Sequence, residues 1–227
     1  MKLTAESISR IFFRNGKNTN FFSAVEETDF SLEPGKLTEI VGRSGSGKTT
    51  LSNMLAGLLA PTSGRVLLDG RDIYALSDPE RSKLRNEHIG VVPQGQTGLQ
   101  SLTVLENVLM PAAMYGPAAS KEKRAHELLS EMEIDDLCDV YSNELSGGEL
   151  RRMAIARALI NDPKVIIADE PTSDLDDDTT QKVLKLFRRL ADDGAAVLIV
   201  THEREALRYA DLVYKMDKGV LSLQKNI

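Results

Sequence analysis

The stretch GRSGSGKT, Gly42–Thr49, decides the fold of this chain. It fits the pattern G-x-x-x-x-G-K-[ST], and its flanks are those the pattern requires: the strand candidate LTEIV (37–41) before it and the helical TLSNMLAGLLA (50–60) after it. A strand that turns through glycines into a helix aims successive backbone N–H groups at one point, with the positive end of the helix behind them. Gly45 and Gly47 permit that turn, Lys48 adds a point charge, and Thr49 offers a hydroxyl suited to magnesium. The implied ligand is the phosphate chain of a nucleoside triphosphate. The loop does not by itself select the base.

Outward from the loop, strand and helix patterns alternate, which predicts an α/β fold with a mostly parallel sheet under helical cover. RVLLDG (65–70), KVIIAD (164–169) and AAVLIVTH (195–202) read as further strands. The last two are continuous apolar runs, as strands buried on both faces require. The opening MKLTAESISRIFF alternates like a strand, and the turn signals LEPGK and LDGRD predict hairpins and an antiparallel edge within the first ninety residues. From about Gly95 to Asn161 strand signals vanish. There KEKRAHELLSEM puts Ala125, Leu128, Leu129 and Met132 on one stripe, with Ser120 as the expected N-cap. A later helix, after DLDDD, stripes Val183, Leu184, Phe187, Leu190 and Ala191 and carries acids at its positive end. The expected organisation is a single nucleotide-binding domain: an α/β body over 1–94 and 162–227, and a helical subdomain over 95–161 inserted into it.

Composition removes several classes of function. The 227 residues contain 41% apolar side chains, enough for a core, but no apolar string approaching the roughly 20 residues of a membrane span. The first residues lack the apolar centre of a signal peptide. The single cysteine, Cys138, excludes an internal disulfide and a multi-cysteine metal site, which suits a reducing compartment. A net charge of −6 argues against nucleic acid as the main partner.

Three further stretches carry chemistry. KVIIADE ends a buried strand in Asp169 and Glu170, and carboxylates in so apolar a setting call for a cation or a reactive water. Asp169 fits the magnesium side of a P-loop site, and Glu170 is placed to polarise an attacking water. VVPQ offers Gln94, a neutral amide that can touch magnesium or water, and IVTH offers His202, one ring nitrogen of which can donate to a γ-phosphate. LSGGELRR (145–152) is a second glycine turn opening a second helix, with Ser146, Gly147 and Gly148 at its head.

In their order along the chain, GRSGSGKT, VVPQ, LSGGE, IIADEPTSDLD and IVTH resemble the motif set of the ATP-binding subunits of ABC transporters, and the resemblance spans essentially the whole chain. It implies a P-loop NTPase of the ABC ATPase type, with ATP and Mg2+ as cofactors. The Walker A loop becomes Gly42, Arg43, Ser44, Gly45, Ser46, Gly47, Lys48, Thr49 and Thr50; Gln94 becomes the Q-loop glutamine, Asp169 and Glu170 the Walker B pair, and His202 the switch histidine. Mg2+ would be held by Thr49, Gln94 and Asp169. The adenine ring is expected on Phe12, with Phe13 and Phe22 as rivals. The resemblance also answers why a second glycine turn is present. Ser146, Gly147 and Gly148, with Asp176 of the D-loop (173–176), are expected to reach ATP bound by a second copy paired head to tail.

Two departures from the commonest pattern stand out: Asp174 adds charge where a small residue is usual, and Pro93 replaces an aromatic before Gln94. SLTVLENVLMPAAMYG is similar to the lipoprotein-release and macrolide-export group. The expected partners are therefore a homodimer mate or paired second ABC subunit and integral-membrane permease subunits, with export of a peptide, lipid or drug. The expected location is cytoplasmic, on the inner face of the cell membrane. A mechanotransmission ATPase that moves no cargo, and a soluble non-transport ABC protein, are the alternatives. Leu99, Leu102, Val104, Met110 and Met114 are the apolar candidates for docking a permease helix.

Overall fold

The computed structural model describes residues 1–14, 20–95, 98–203 and 206–224. The chain runs β1 (Leu3–Arg14), β2 (Asn20–Leu32), β3 (Leu37–Val41), α1 (Lys48–Leu55), β4 (Ser63–Leu68), β5 (Arg71–Asp72), α2 (Asp78–His88) and β6 (Ile89–Val92). It continues through α3 (Val104–Tyr115), α4 (Glu122–Glu131), α5 (Gly147–Leu159), β7 (Val165–Asp169), α6 (Asp177–Asp192), β8 (Ala196–Thr201), β9 (Leu212–Asp217) and β10 (Val220–Leu223). Short 3-10 turns link some of these elements.

Two sheets result. The larger has the order β10-β9-β3-β8-β7-β6, parallel from β9 to β6 and closed at one edge by antiparallel β10. The smaller, β2-β1-β4-β5, is antiparallel throughout, so the expected antiparallel edge is mainly a sheet of its own. The two turn signals separate here. At LDGRD, Asp69 and Gly70 both have positive φ (48° and 82°), the geometry whose twist suits a hairpin, and β4 and β5 pair across it. At LEPGK, Lys36 N–H donates to the Glu33 carbonyl at 3.2 Å with Gly35 at φ 77°, a turn of the other hand. It carries the chain from β2 of one sheet to β3 of the other, so the expected hairpin is absent there.

The strand period of two divides the larger sheet into faces. Leu37, Ile166, Ala168, Val197 and Ile199 pack with Met153 and Leu159 of α5, Leu184 and Phe187 of α6, and residues of α3 and α4. Ile40, Val165, Ile167, Leu198 and Val200 pack instead with Leu51, Met54 and Leu55 of α1 and with the smaller sheet through Leu3, Ile8, Leu32 and Val66. Each fully buried aliphatic of this kind contributes about 1.5–3 kcal/mol.

The helices carry the expected stripes: Ala125, Leu128, Leu129 and Met132 are buried, as are Val183, Leu184, Phe187 and Ala191, whereas Leu190 is half-covered. Ser120 is not the cap of α4. It sits in a 3-10 turn over Ala118–Lys121, its hydroxyl bonded back to the Pro117 carbonyl at 2.8 Å, and α4 begins only at Glu122. Proline-led turns compete for serine hydroxyls in this way. Val104, at the start of α3, is fully buried core and no docking residue; Met114 and Leu99 are exposed. No helix among the described residues is long and apolar enough to cross a membrane.

Candidate functional site

β3 delivers the chain into the glycine loop, and α1 leaves it. Gly47 is at φ 108°, and a Cβ there would lie 2.1 Å from the Ala24 carbonyl oxygen, so the smaller sheet presses directly on the loop's last turn. A Cβ on Gly42 would meet the Met216 carbonyl at 2.3 Å. Gly45 differs: φ is 75°, with open space on its Cβ side. Lys48, almost buried, folds its ammonium over the loop and donates to the carbonyls of Gly42 (2.7 Å) and Arg43 (3.1 Å). Ser46 turns inward, its hydroxyl buried without a partner among the described residues, while Ser44, Thr49 and Thr50 face the cleft.

That cleft, about 1030 Å³, gathers Arg43, Ser44, Gly45, Gly47, Lys48, Thr49 and Thr50 with Gln94, Glu170 and His202. Phe12 and Phe22 close its far end, their rings stacked at 5.6 Å, and the Arg10 guanidinium lies 4.7 Å over Phe12. They form a directly paired couple across β1 and β2. Phe13, one residue on, belongs to the opposite face of the strand and is 72% exposed, outside the cleft. An adenine-sized ring therefore has two adjacent aromatic candidates, not one.

β7 ends in the carboxylates. Asp169 is buried, and neither of its oxygens has a hydrogen-bond partner among the described residues. Burial pushes its carboxyl above the ordinary range, while the neighbouring Thr49 hydroxyl and Lys48 ammonium pull the other way. Thr49 Oγ lies 3.4 Å from Gln94 Oε1, and Thr49, Gln94 and Asp169 line one small polar recess. A hydroxyl, an amide oxygen and one orphaned carboxylate form the sparse oxygen set with which Mg2+ is held when phosphates and waters supply the rest. These residues fit the ion.

Glu170 takes a left-handed backbone at φ 51°, uncommon for a residue with a side chain. Its N–H donates to the Val200 carbonyl at 2.7 Å, and its carboxylate receives Thr201 Oγ at 3.1 Å and the His202 Nδ1–H at 2.9 Å. β8 thus fixes both the backbone and the side chain of the residue that follows β7. The bond and charge of Glu170 raise the pKa of the mostly exposed His202 above its ordinary value. A second layer surrounds them: Thr172 Oγ donates to Glu203 at 2.6 Å, and Glu203 N–H donates to Thr201 Oγ at 3.0 Å.

Ser146, Gly147, Gly148 and Asp176 do not line that cleft; with Arg152 and Thr179 they line a second concavity that shares Asp174 with the first. Ser146 caps α5 in a reciprocal box: Glu149 N–H donates to its hydroxyl at 3.4 Å, and its own N–H donates to Glu149 Oε2 at 2.7 Å. Asp176 caps α6, accepting from Thr179 N–H at 2.9 Å and Thr179 Oγ at 2.8 Å, and those bonds hold its carboxyl below the usual range. A Cβ on Gly148 would stand 3.0 Å from the Asp174 carbonyl. A side chain at 148 would therefore press on this chain's own D-loop, which packs against the head of α5.

Two buried charged residues escape a motif-based reading. Glu39 of β3 is fully buried, neither carboxylate oxygen has a partner among the described residues, and burial pushes its pKa up to about 7. An acid inside an apolar central strand was the available signal. Arg151 looks in sequence like one more basic residue on a helix surface, yet it is almost completely buried.

Comparison with known proteins now adds to the geometry. Residues 25–173 match the ABC transporter family. Over 218 residues the chain is 37% identical to the lipoprotein-releasing system ATP-binding protein LolD of Aquifex aeolicus, covering 96% of this chain and 94% of that protein. It is 39% identical over 209 residues to the methionine import ATP-binding protein MetN 1 of Rhodococcus jostii, covering 91% of this chain but 62% of that protein. The dimeric structure of MJ0796, a bacterial ABC transporter cassette, superposes with a TM-score of 0.91 at 31% identity, covering 99% of this chain and all of that one. A second dimeric structure of that cassette, in a post-hydrolysis state with ADP and Pi, matches with the same TM-score. The family match extends over well over half of the residues, and the fold agrees throughout: the chain belongs to the ABC transporter family, as one of its ATPase cassettes.

Proposed function

We propose that two copies of this chain, or this chain and a paired second ABC subunit, close head to tail on two ATP molecules and that hydrolysis separates them. The observation that carries this reading is the separation of Ser146–Gly148 from the cleft that holds Lys48, Glu170 and His202. Two structures each glycine-turned at a helix head, each suited to phosphate, complete one site only when a second copy supplies the other half. The dimeric solved relative is consistent with it.

Within such a site Lys48 and the loop N–H groups hold the β- and γ-phosphates, and Phe12 with Phe22 receive the adenine. Thr49, Gln94 and Asp169 would hold Mg2+, which when bound neutralises phosphate charge. Glu170 accepts the proton of the attacking water, and Thr201 and His202 hold its carboxylate at the cleft. His202, kept oriented by Glu170, donates to the γ-phosphate. ATP then acts as a ligand with contacts in the closed state that the open state lacks, and this drives the switch.

The cycle works on an integral-membrane permease, with export of a peptide, lipid or drug as the favoured direction, supported by the near-complete match to LolD. A groove of about 220 Å³ between α2, α3 and α5, lined by Leu58, Arg85, Pro111, Met114, Tyr115 and Arg157, is the permease contact. The subunit sits on the inner face of the membrane through that contact.

Complementation tests the pairing. Ser146→Arg keeps an intact glycine loop and Lys48→Ala keeps an intact Ser146–Gly148 head; each alone is expected to lose ATP hydrolysis. Mixed, they form one complete site per heterodimer and recover turnover. If the mixture stays as inactive as its components, the head-to-tail reading is wrong.

A further inference from the structure

The side chain of Arg151 reaches from the second turn of α5 to two segments at once, the peptide after β6 and the turn after β7. Nη1 donates to the Pro93 carbonyl at 2.8 Å, the peptide directly before Gln94. Nη2 donates to Ser173 Oγ at 2.7 Å, and Ser173 Oγ donates in turn to the Glu170 carbonyl at 3.0 Å. The guanidinium is almost wholly buried. Burial works against its charge, and Asp174, Asp169 and Glu170 favour it without pairing with it. A planar fork with several fixed donors can satisfy two acceptors in different directions at once; an ammonium at the end of a lysine chain offers no such fixed geometry.

We infer that Arg151 is a positioning residue that ties the Ser146–Gly148 head of α5 to Gln94 and to Glu170 of the same chain, so that a shift of α5 is transmitted to both. This rests on the ATPase reading above. α5 carries at its N-terminus the groups proposed to meet the partner's ATP, and Arg151 lies one turn behind them. Engagement of that head by a partner's nucleotide would displace α5 slightly, and two hydrogen bonds from one rigid group pass the displacement to the peptide before Gln94 and to the turn after Glu170. Each site would thereby sense, through its own chain, whether the opposite site is filled. Buried side-chain networks of this kind respond as units, because losing one partner leaves the others unsatisfied.

The test compares Arg151→Met, Arg151→Lys and Ser173→Ala with the parent in two assays: nucleotide affinity of the monomer, by fluorescent ATP titration, and steady-state ATP hydrolysis. Arg151→Met is expected to keep monomer affinity within about twofold while lowering kcat at least tenfold and flattening the dependence of rate on ATP concentration toward a simple hyperbola. Arg151→Lys is expected to rescue poorly, since it replaces at most one of the two bonds. Ser173→Ala removes one arm without disturbing the helix, and the double variant Arg151→Met/Ser173→Ala is expected to be no worse than Arg151→Met alone. Parent-like kcat in folded Arg151→Met, full rescue by lysine, or additive losses in the double variant would each overturn the inference. If Arg151→Met does not fold, Ser173→Ala decides alone: a parent-like kcat and ATP dependence refutes the link. A parent protein without ATP turnover would instead sink the proposed function, and the two failures are distinct.

Discussion

His202 Nδ1 and Glu170 Oε1 stand 2.9 Å apart, and Thr201 Oγ completes the hold on the same carboxylate at 3.1 Å. The glutamate is therefore aimed by β8, not by the strand it follows. Charge and position are separable in such an arrangement, because glutamine keeps one acceptor for His202 and can turn the other bond round, its amide donating to Thr201 Oγ, while losing the basicity.

Glu170→Gln is expected to bind ATP with unchanged affinity and to lose hydrolysis by about 100-fold or more, the scale of removing a general base. An ATP-dependent dimer accumulates as a result. Phosphate release and gel filtration with and without ATP measure the two halves of this prediction, and parent-like turnover would remove Glu170 from its role.

The same pair makes a pH prediction. Because Glu170 raises the pKa of His202 in the folded chain, folding favours the imidazolium. Its contribution is full below the ordinary histidine value of about 6.5 and is lost as pH rises through the raised folded value. The melting temperature of the parent should exceed that of His202→Gln most at low pH, and the gap should close on the alkaline side. The imidazole is largely exposed, so the gap will be small. A gap that widens with pH would contradict the assignment.

Asp169 behaves oppositely. Its carboxyl is raised by burial, so ionisation costs the folded chain stability once pH exceeds the ordinary carboxylate range. Asp169→Asn is expected to melt no lower than the parent at pH 7 in the absence of nucleotide, and to lose the Mg2+-dependent part of ATP affinity. Thermal melts and titrations with and without EDTA check both. Destabilisation of the nucleotide-free protein by this change would show that the carboxylate has a structural partner.

Glu39 gives the stability counterpart away from the cleft. With the folded pKa near 7 and the free value at 4.5, the ionisation penalty grows as pH rises between them and is complete above. Glu39→Gln should therefore stabilise the protein by about 1–3 kcal/mol above pH 8 and by little below pH 4. Urea unfolding at the two pH values reads the difference; equal effects at both would mean that the carboxyl is not titrating in place.

How much of this was legible beforehand depends on where each signal resides. β3 is bounded in the sequence as in the structure by the glycine loop that follows it, and β7 and β8 to within a residue, because strands buried on both faces are nearly continuous apolar runs. β9 and β10 went unread: LVYKMD mixes exposed and buried positions, and VLSL, at the sheet edge, has none buried, so both look like surface chain. The displacement of RVLLDG by two residues has a similar origin, since Ser63, which pairs with Ser9 of β1 across an irregularity at Gly64, carries no apolar signal. At the site, motif spacing named residues but not their connections. The caps made by Ser146 and Asp176 are local, i to i+3, and so stand in the sequence; that Phe22 joins Phe12 and that Arg151 is buried follow from which strands and loops the topology sets side by side.

The central sheet has one more consequence, for genetics. The loop that grips phosphate continues into α1, whose apolar side chains pack on one face of the sheet, while α5 with Ser146 at its head packs on the other. Conservative core substitutions should consequently sort by face into two phenotypes. Trimming Leu51 or Met54 would alter how tightly nucleotide is retained, whereas trimming Met153 or Leu159 would leave retention alone and alter whether two copies cooperate. Second-site suppressors should be found within a face more often than across it, so the sheet would behave as the boundary between two complementation groups within this one domain.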